Sequence, residues 1–210
     1  MLSENGGFGM DRITLKARAK EQISGKIWDL FLVTLIVSLI TGAVNGILAL
    51  IPGVGSIGAL VITAPLSISM LKIYLDLVNY GKKPEIADVF YGYSDFGSSV
   101  LVVIITGLFT ALWSLLFVVP GIIKAISYSQ AYYIVAENKG ISATEAINRS
   151  KAMMHGHKMD FFVLQLSFIG WGLLGVMTCG IAFIWIAPYM NATYVNFYNS
   201  IKPVEYTAQN

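Results

Sequence analysis

Apolar positions run along this chain in long blocks rather than in alternation. Leu30 to Leu71 holds 42 residues without a charge, and Phe161 to Ile201 holds 41 more. Between them, Phe96 to Ala136 carries one charge, Lys124. About 20 apolar residues cross a bilayer as a helix, so each block is long enough for two crossings and a turn. Proline and glycine divide the blocks, as "IPGVGSIG" at 51–58, "VPG" at 119–121 and "TCG" at 178–180. Proline disfavours helical geometry in the residue before it, and glycine tolerates a turn. The division predicts six spans, roughly 27–50, 57–79, 97–118, 121–137, 160–178 and 181–200, with turns near 52–56, 119–122 and 178–181.

The spans also repeat. Each unit reads as a span, an uncharged turn, a second span and a polar aromatic exit. An Ala-Pro pair opens both "TAPLSISMLKIYLDLVNYG" (63–81) and "IAPYMNATYVNFYNS" (186–200). The predicted fold is therefore all-α: six transmembrane helices arranged as three tandem hairpins, with amphipathic segments on the cytoplasmic side. Residues 1–26 form a basic segment, 27–201 the membrane domain and 202–210 a short tail. Of the 14 basic residues, 13 fall on one side of this arrangement and Lys124 is the exception. Basic loops stay in the cytoplasm, so both termini are expected inside a cell membrane crossed several times.

Composition agrees: 56% of residues are hydrophobic and 12% charged, against about 25% charged in soluble domains. The polar N-terminus lacks the pattern of a secretory signal peptide. Cys179 is the single cysteine, which rules out an intramolecular disulfide.

Three segments outside the spans are amphipathic. In "DRITLKARAKEQISG" (11–25), Leu15, Ala19 and Ile23 recur at i, i+4 and i+8 among basic residues. That suits a helix on an anionic leaflet, or equally a basic stub that only sets topology. "SATE" at 142–145 is a capping box, after which Ala146, Ile147, Met153 and Met154 share an apolar side while Arg149 and Lys151 face water. After span two, Pro84 fits a first helical position, with Ile86, Val89, Phe90 and Tyr93 on one side.

Charged or strongly polar groups within spans are the functional candidates. These are Asp29, Lys72, Asp76 and Lys124, joined by Asn191 and Asn196 in a polar strip with Thr193. Lys72 and Asp76 are four apart and can pair on one helix face. Lys124 follows the predicted outer turn and can extend to the outer interface. The strip either bonds between helices or lines a path. Gly170, Gly172 and Gly175 allow close helix packing or a homodimer face. His155 and His157, two apart without an acidic or thiol cluster, read as loop residues rather than metal ligands. No nucleophile–base set, phosphate loop or metalloprotease motif is present, so neither catalysis nor a cofactor is expected, nor binding to nucleic acid.

"LWSLLFVVPGIIKAISYSQAYYIVAEN", "ISATEAINRSKAMMHGHK" and "GWGLLGVMTCGIAFIWIAPYMNATYVNFY" resemble family 975 of the domains of unknown function, small integral membrane proteins found mainly in Gram-positive bacteria. The resemblance begins at "LKARAK" and covers nearly the whole chain. A more distant similarity, in general pattern, is to the membrane region of glycerophosphodiester phosphodiesterases. It implies location and topology and supplies no site residues. The expected function is non-enzymatic, through helix or lipid contacts, as an accessory subunit, a membrane organiser or an immunity-type protein, with a membrane-protein partner or another copy of the chain. The partners expected are the bilayer and anionic lipids of the cytoplasmic face. The alternative is a small channel or an exporter of an amphipathic solute.

Overall fold

Blocks this apolar must satisfy their own backbone polar groups, and helices do so within one segment. The computed structural model describes residues 12–51 and 55–203, and no strand occurs among them. Residues 52–54 of the first predicted turn lie outside the described residues, as do residues 1–11 and 204–210 of the two terminal segments. The basic segment forms α1 (Arg12–Ile23), followed by α2 (Ile27–Leu48) and α3 (Gly55–Tyr80). A 3₁₀ segment, Ile86–Asp95, leads into α4 (Phe96–Leu116), α5 (Val118–Tyr128) and α6 (Ala131–Glu137). Then come α7 (Ala143–Met153), α8 (Lys158–Leu166), α9 (Ile169–Met177) and α10 (Phe183–Ile201).

Four stretches, Ile27–Leu48, Ile57–Tyr80, Ile86–Leu115 and Lys158–Met177, are long and apolar enough to cross a membrane. At 1.5 Å per residue the first is about 33 Å long, close to the hydrocarbon thickness. The predicted fourth and sixth spans are not among them. The fourth is divided at Ser129–Gln130 into the short helices α5 and α6. The sixth, α10, is continuous, but Asn191, Thr193, Asn196 and Asn199 dilute its hydropathy.

The Pro-Gly reversal of the second block lies elsewhere than predicted. The chain reverses at Phe117, which is extended (φ −158°, ψ 138°), and Pro120 and Gly121 sit inside the first turn of α5. Proline is tolerated there because first-turn N–H groups lack intrahelical acceptors. Gly121 has a different task. A Cβ on it would meet Ser114 Oγ at 2.2 Å and Ser114 Cα at 2.8 Å, so its missing side chain lets α5 fold back against α4. The third reversal is where expected: Cys179 (φ 51°) and Gly180 (φ 90°) carry left-handed backbone between α9 and α10.

The Ala-Pro pairs lie inside helices rather than opening them, with Pro65 within α3 and Pro188 within α10. A mid-helix proline removes one N–H and disturbs the preceding turn. The 3₁₀ segment is fastened there. Ser69 Oγ donates to Pro65 O (2.9 Å) and accepts from the Gly92 N–H (2.7 Å), while Tyr93 Oη donates to Ile62 O (2.7 Å). A Cβ on Gly92 would lie 2.0 Å from Pro65 O, so only glycine fits. With a three-residue period, Val89 and Gly92 are the buried pair, whereas Ile86 and Phe90 are exposed; the predicted apolar side assumed α-helical spacing. Pro84 precedes the segment, which begins at Ile86.

The apolar stripe of α1 is buried in the protein. Leu15 (4% exposed), Ala19 (0%) and Ile23 (4%) face inward, with α10 as the main neighbour of the helix. Leu15 joins Phe161, Leu164, Phe168 and Phe197 in one apolar cluster, and Ala19 and Ile23 join the main core. Ser142 caps α7 by accepting from the Glu145 N–H (3.2 Å), and Ala146, Ile147, Met153 and Met154 are buried as the pattern requires. The Glu145 carboxylate pairs with Arg149 instead of closing the box, so Arg149 is not simply in water. Of the three glycines in α9, Gly175 alone packs closely, against the ring of Phe183; Gly170 and Gly172 meet nothing within 4 Å.

Candidate functional site

Helix ends converge where the basic residues gather. Lys26 Nζ donates to Gly81 O (2.8 Å) and Lys83 pairs with Asp29 (3.3 Å), which joins the start of α2 to the end of α3. Asp95 Oδ2 accepts from the Gly140 N–H (2.7 Å), joining the start of α4 to the loop after α6. The end of α10 reaches both: Asn199 Nδ2 donates to Asn79 Oδ1 (2.6 Å), and Lys202 Nζ pairs with Glu137 Oε1 (2.6 Å).

A cavity of about 180 Å³ opens among these ends, lined by Lys72, Asp76, Asn79, Tyr80, Tyr91 and Glu137. Lys72 and Asp76 form the ion pair that their spacing predicts. The Tyr91 ring lies beneath two ammonium groups, Lys139 at 4.7 Å from its centroid and Lys72 at 5.4 Å. Glu137 is 12% exposed, and its partner Lys202 is 8% exposed. Tyr198 Oη donates to the other Glu137 oxygen (2.7 Å). The Tyr198 ring stacks on Tyr133 at 5.3 Å. Past the end of α3, the Asp88 carboxylate accepts from Lys82 Nζ at 2.8 Å and holds that ammonium above its usual pKa. Asp29, Asp76, Asp88 and Glu137 are each matched by a lysine, and Asp95 by a backbone N–H.

The other candidates are scattered. Asn196 (7% exposed) exchanges hydrogen bonds with Gln22 of α1, Nδ2 to Oε1 at 2.7 Å and Nε2 to Oδ1 at 3.3 Å. Asn191 donates to Ala187 O of its own helix (2.9 Å) and lies within reach of the Tyr74 hydroxyl. Thr193 donates back to Tyr189 O (2.8 Å). Lys124 is half-buried with its ammonium 4.7 Å from the centre of the Trp113 ring. The partner of this ammonium is an aromatic face on α4. His157 approaches Asp160 (3.5 Å), and no group of three metal-ligating side chains occurs among the described residues.

Glu137 and Gln22 were missed by the sequence reading. Glu137 directly follows the apolar block and resembles the first residue of a polar loop. Gln130, fully buried at the break between α5 and α6, was missed too. Its Nε2 donates to Ser129 Oγ (2.8 Å), and its Oε1 has no protein partner.

No curated protein and no solved structure matches the chain, so the distant similarity to the phosphodiesterase membrane region is without support. The profile of a family described as "Protein of unknown function (DUF975)" matches residues 10–127 and 115–205. With nearly its whole length matched, the chain belongs to the DUF975 family.

Proposed function

We propose that this protein is a multi-pass membrane protein that acts without catalysis, by holding lipid or a partner protein at its basic end. In this reading the six apolar segments cross as three like-oriented hairpins with both termini in the cytoplasm. The ties among Lys26, Gly81, Asp95, Gly140, Glu137 and Lys202 support it, because they gather the hairpin bases at one end. The excess of Lys and Arg there supports the cytoplasmic assignment.

One observation carries the contact reading. The polar groups that a conduction path would use are already engaged inside the protein: Asn196 with Gln22, Asn191 and Thr193 with their own helix, and Asp76 with Lys72. Outside, large apolar side chains such as Leu39, Ile47, Leu108, Leu115 and Leu173 are exposed in a pattern suited to lipid. Purified protein in liposomes should pass neither ions nor an amphipathic dye above the empty-vesicle rate. A flux abolished by Asn191→Ala would replace this reading with the channel or exporter.

A further inference from the structure

A second cavity, about 350 Å³ in volume, opens between α1, the start of α2, α9 and α10. Ile23 and Ile186, each 4% exposed, lie at its depth. Its walls are aromatic: Trp171, Trp185 and Tyr189, with Trp171 edge-on to Tyr189 at 6.1 Å. Lys20 and Ser24 also line it, and both are exposed, so they mark its open side.

We infer that this groove seats one acyl chain of an anionic phospholipid, with the lipid phosphate at Lys20 and Ser24. The inference rests on the membrane-contact reading above and names its lipid and its site. The charge argument comes from the remaining lysines. Lys16, Lys26, Lys72, Lys82, Lys83, Lys124, Lys139, Lys151 and Lys202 each meet a protein carbonyl, carboxylate, amide or ring. Lys20 meets none among the described residues, although it stands at the mouth of an apolar groove. Its helix carries Arg12, Lys16, Arg18 and Lys20 against one acid, Glu21. Lys16 is committed elsewhere, over the Phe168 ring (4.2 Å) and to Ser167 O (3.3 Å), and burial followed by the Arg12 charge lowers its pKa. Lys158 is also without a partner among the described residues, but Lys20 is the one of the two that lines the groove, so it is the cation placed for a ligand there.

The apolar lining selects a lipid. A peptide backbone placed there would leave its N–H and C=O groups opposite Ile23, Ile186 and two indoles, whereas an acyl chain has no polar group to satisfy.

The test uses the full chain in nanodiscs with brominated lipids, read by tryptophan fluorescence. Trp28→Phe and Trp113→Phe leave only Trp171 and Trp185 to report. At low mole fraction, brominated phosphatidylglycerol should quench these two about fivefold more effectively than brominated phosphatidylcholine, the factor that one lysine contributes near a membrane surface. Lys20→Gln should remove that preference and Lys20→Arg should keep it. Equal quenching by the two lipids, or a preference untouched by Lys20→Gln, overturns the inference. Displacement of the lipid by millimolar inorganic phosphate also overturns it, since the site would then bind a soluble anion. The liposome flux assay is separate: flux would refute the contact reading whatever the quenching, and lost lipid preference without flux would refute only this groove.

Discussion

Replacing Glu137 by leucine removes the carboxylate that joins α6 to the end of α10. Glu137 and Lys202 are 12% and 8% exposed, so the pair is nearly out of solvent, and Tyr198 Oη donates to the same carboxylate at 2.7 Å. A surface ion pair would be worth little, but removing one partner of a buried pair costs about 3–5 kcal/mol, because the other charge remains unpaired. The orphaned Tyr198 hydroxyl adds to that penalty. A chain of this size shifts its Tm by about 2–4 °C per kcal/mol, so Glu137→Leu should unfold about 10 °C lower. Thermal unfolding of the purified protein in nanodiscs, followed by tryptophan fluorescence, measures it. Lys202→Met should cost a similar amount. Glu137→Leu with Lys202→Met should recover at least about 2 kcal/mol relative to the sum of the two, since neither charge is left unpaired. Single variants within about 2 °C of the parent, or a double variant equal to the sum, would show that water reaches this pair and would refute the reasoning.

Gly121→Ala should lower the same Tm by several degrees, because a Cβ meets Ser114 Cα at 2.8 Å, whereas Gly172→Ala, with nothing within 4 Å, should leave it equal or slightly higher. Gln22→Leu takes both hydrogen bonds from Asn196 and should cost about 1–3 kcal/mol, read as faster tryptic cleavage within α1. An impermeant maleimide should label the exposed Cys179 from outside intact cells, and Ser142→Cys in a Cys179→Ser background should label only after permeabilisation; the opposite pattern would reverse the orientation. Lys124→Gln should lower Tm by no more than about 4 °C, since a cation–π contact that is not fully desolvated is worth about 0.5–1 kcal/mol.

Much here is local, and the local part was legible. Uncharged blocks of more than 40 residues force helices, because no other backbone arrangement within one segment satisfies its own polar groups in an apolar setting. The α1 stripe of Leu15, Ala19 and Ile23, the Ser142 cap and the Lys72–Asp76 pair follow from the 3.6-residue period, which is a property of neighbours in sequence. The sequence also singled out Asn196, in a strip that either bonds between helices or lines a path. Which partner it found was decided in three dimensions, by Gln22 on α1, 174 residues away.

Tertiary structure likewise decided what covers the α1 stripe. A lipid leaflet and the side of α10 offer similar apolar surface, so periodicity cannot choose between them; packing density and the Gln22–Asn196 bond favour the helix. The glycines make the same point. Gly121, Gly172 and Gly175 are one residue type in similar apolar surroundings, yet only Gly121 and Gly175 lie where another side chain already occupies the space of a Cβ. Glu137 read as the start of a loop until Lys202 and Tyr198 closed around it. Chain composition set where helices form, because the hydrogen bonds of a helix are local; the partners of its side chains depend on contacts 60 or more residues apart, which only the folded chain brings within reach.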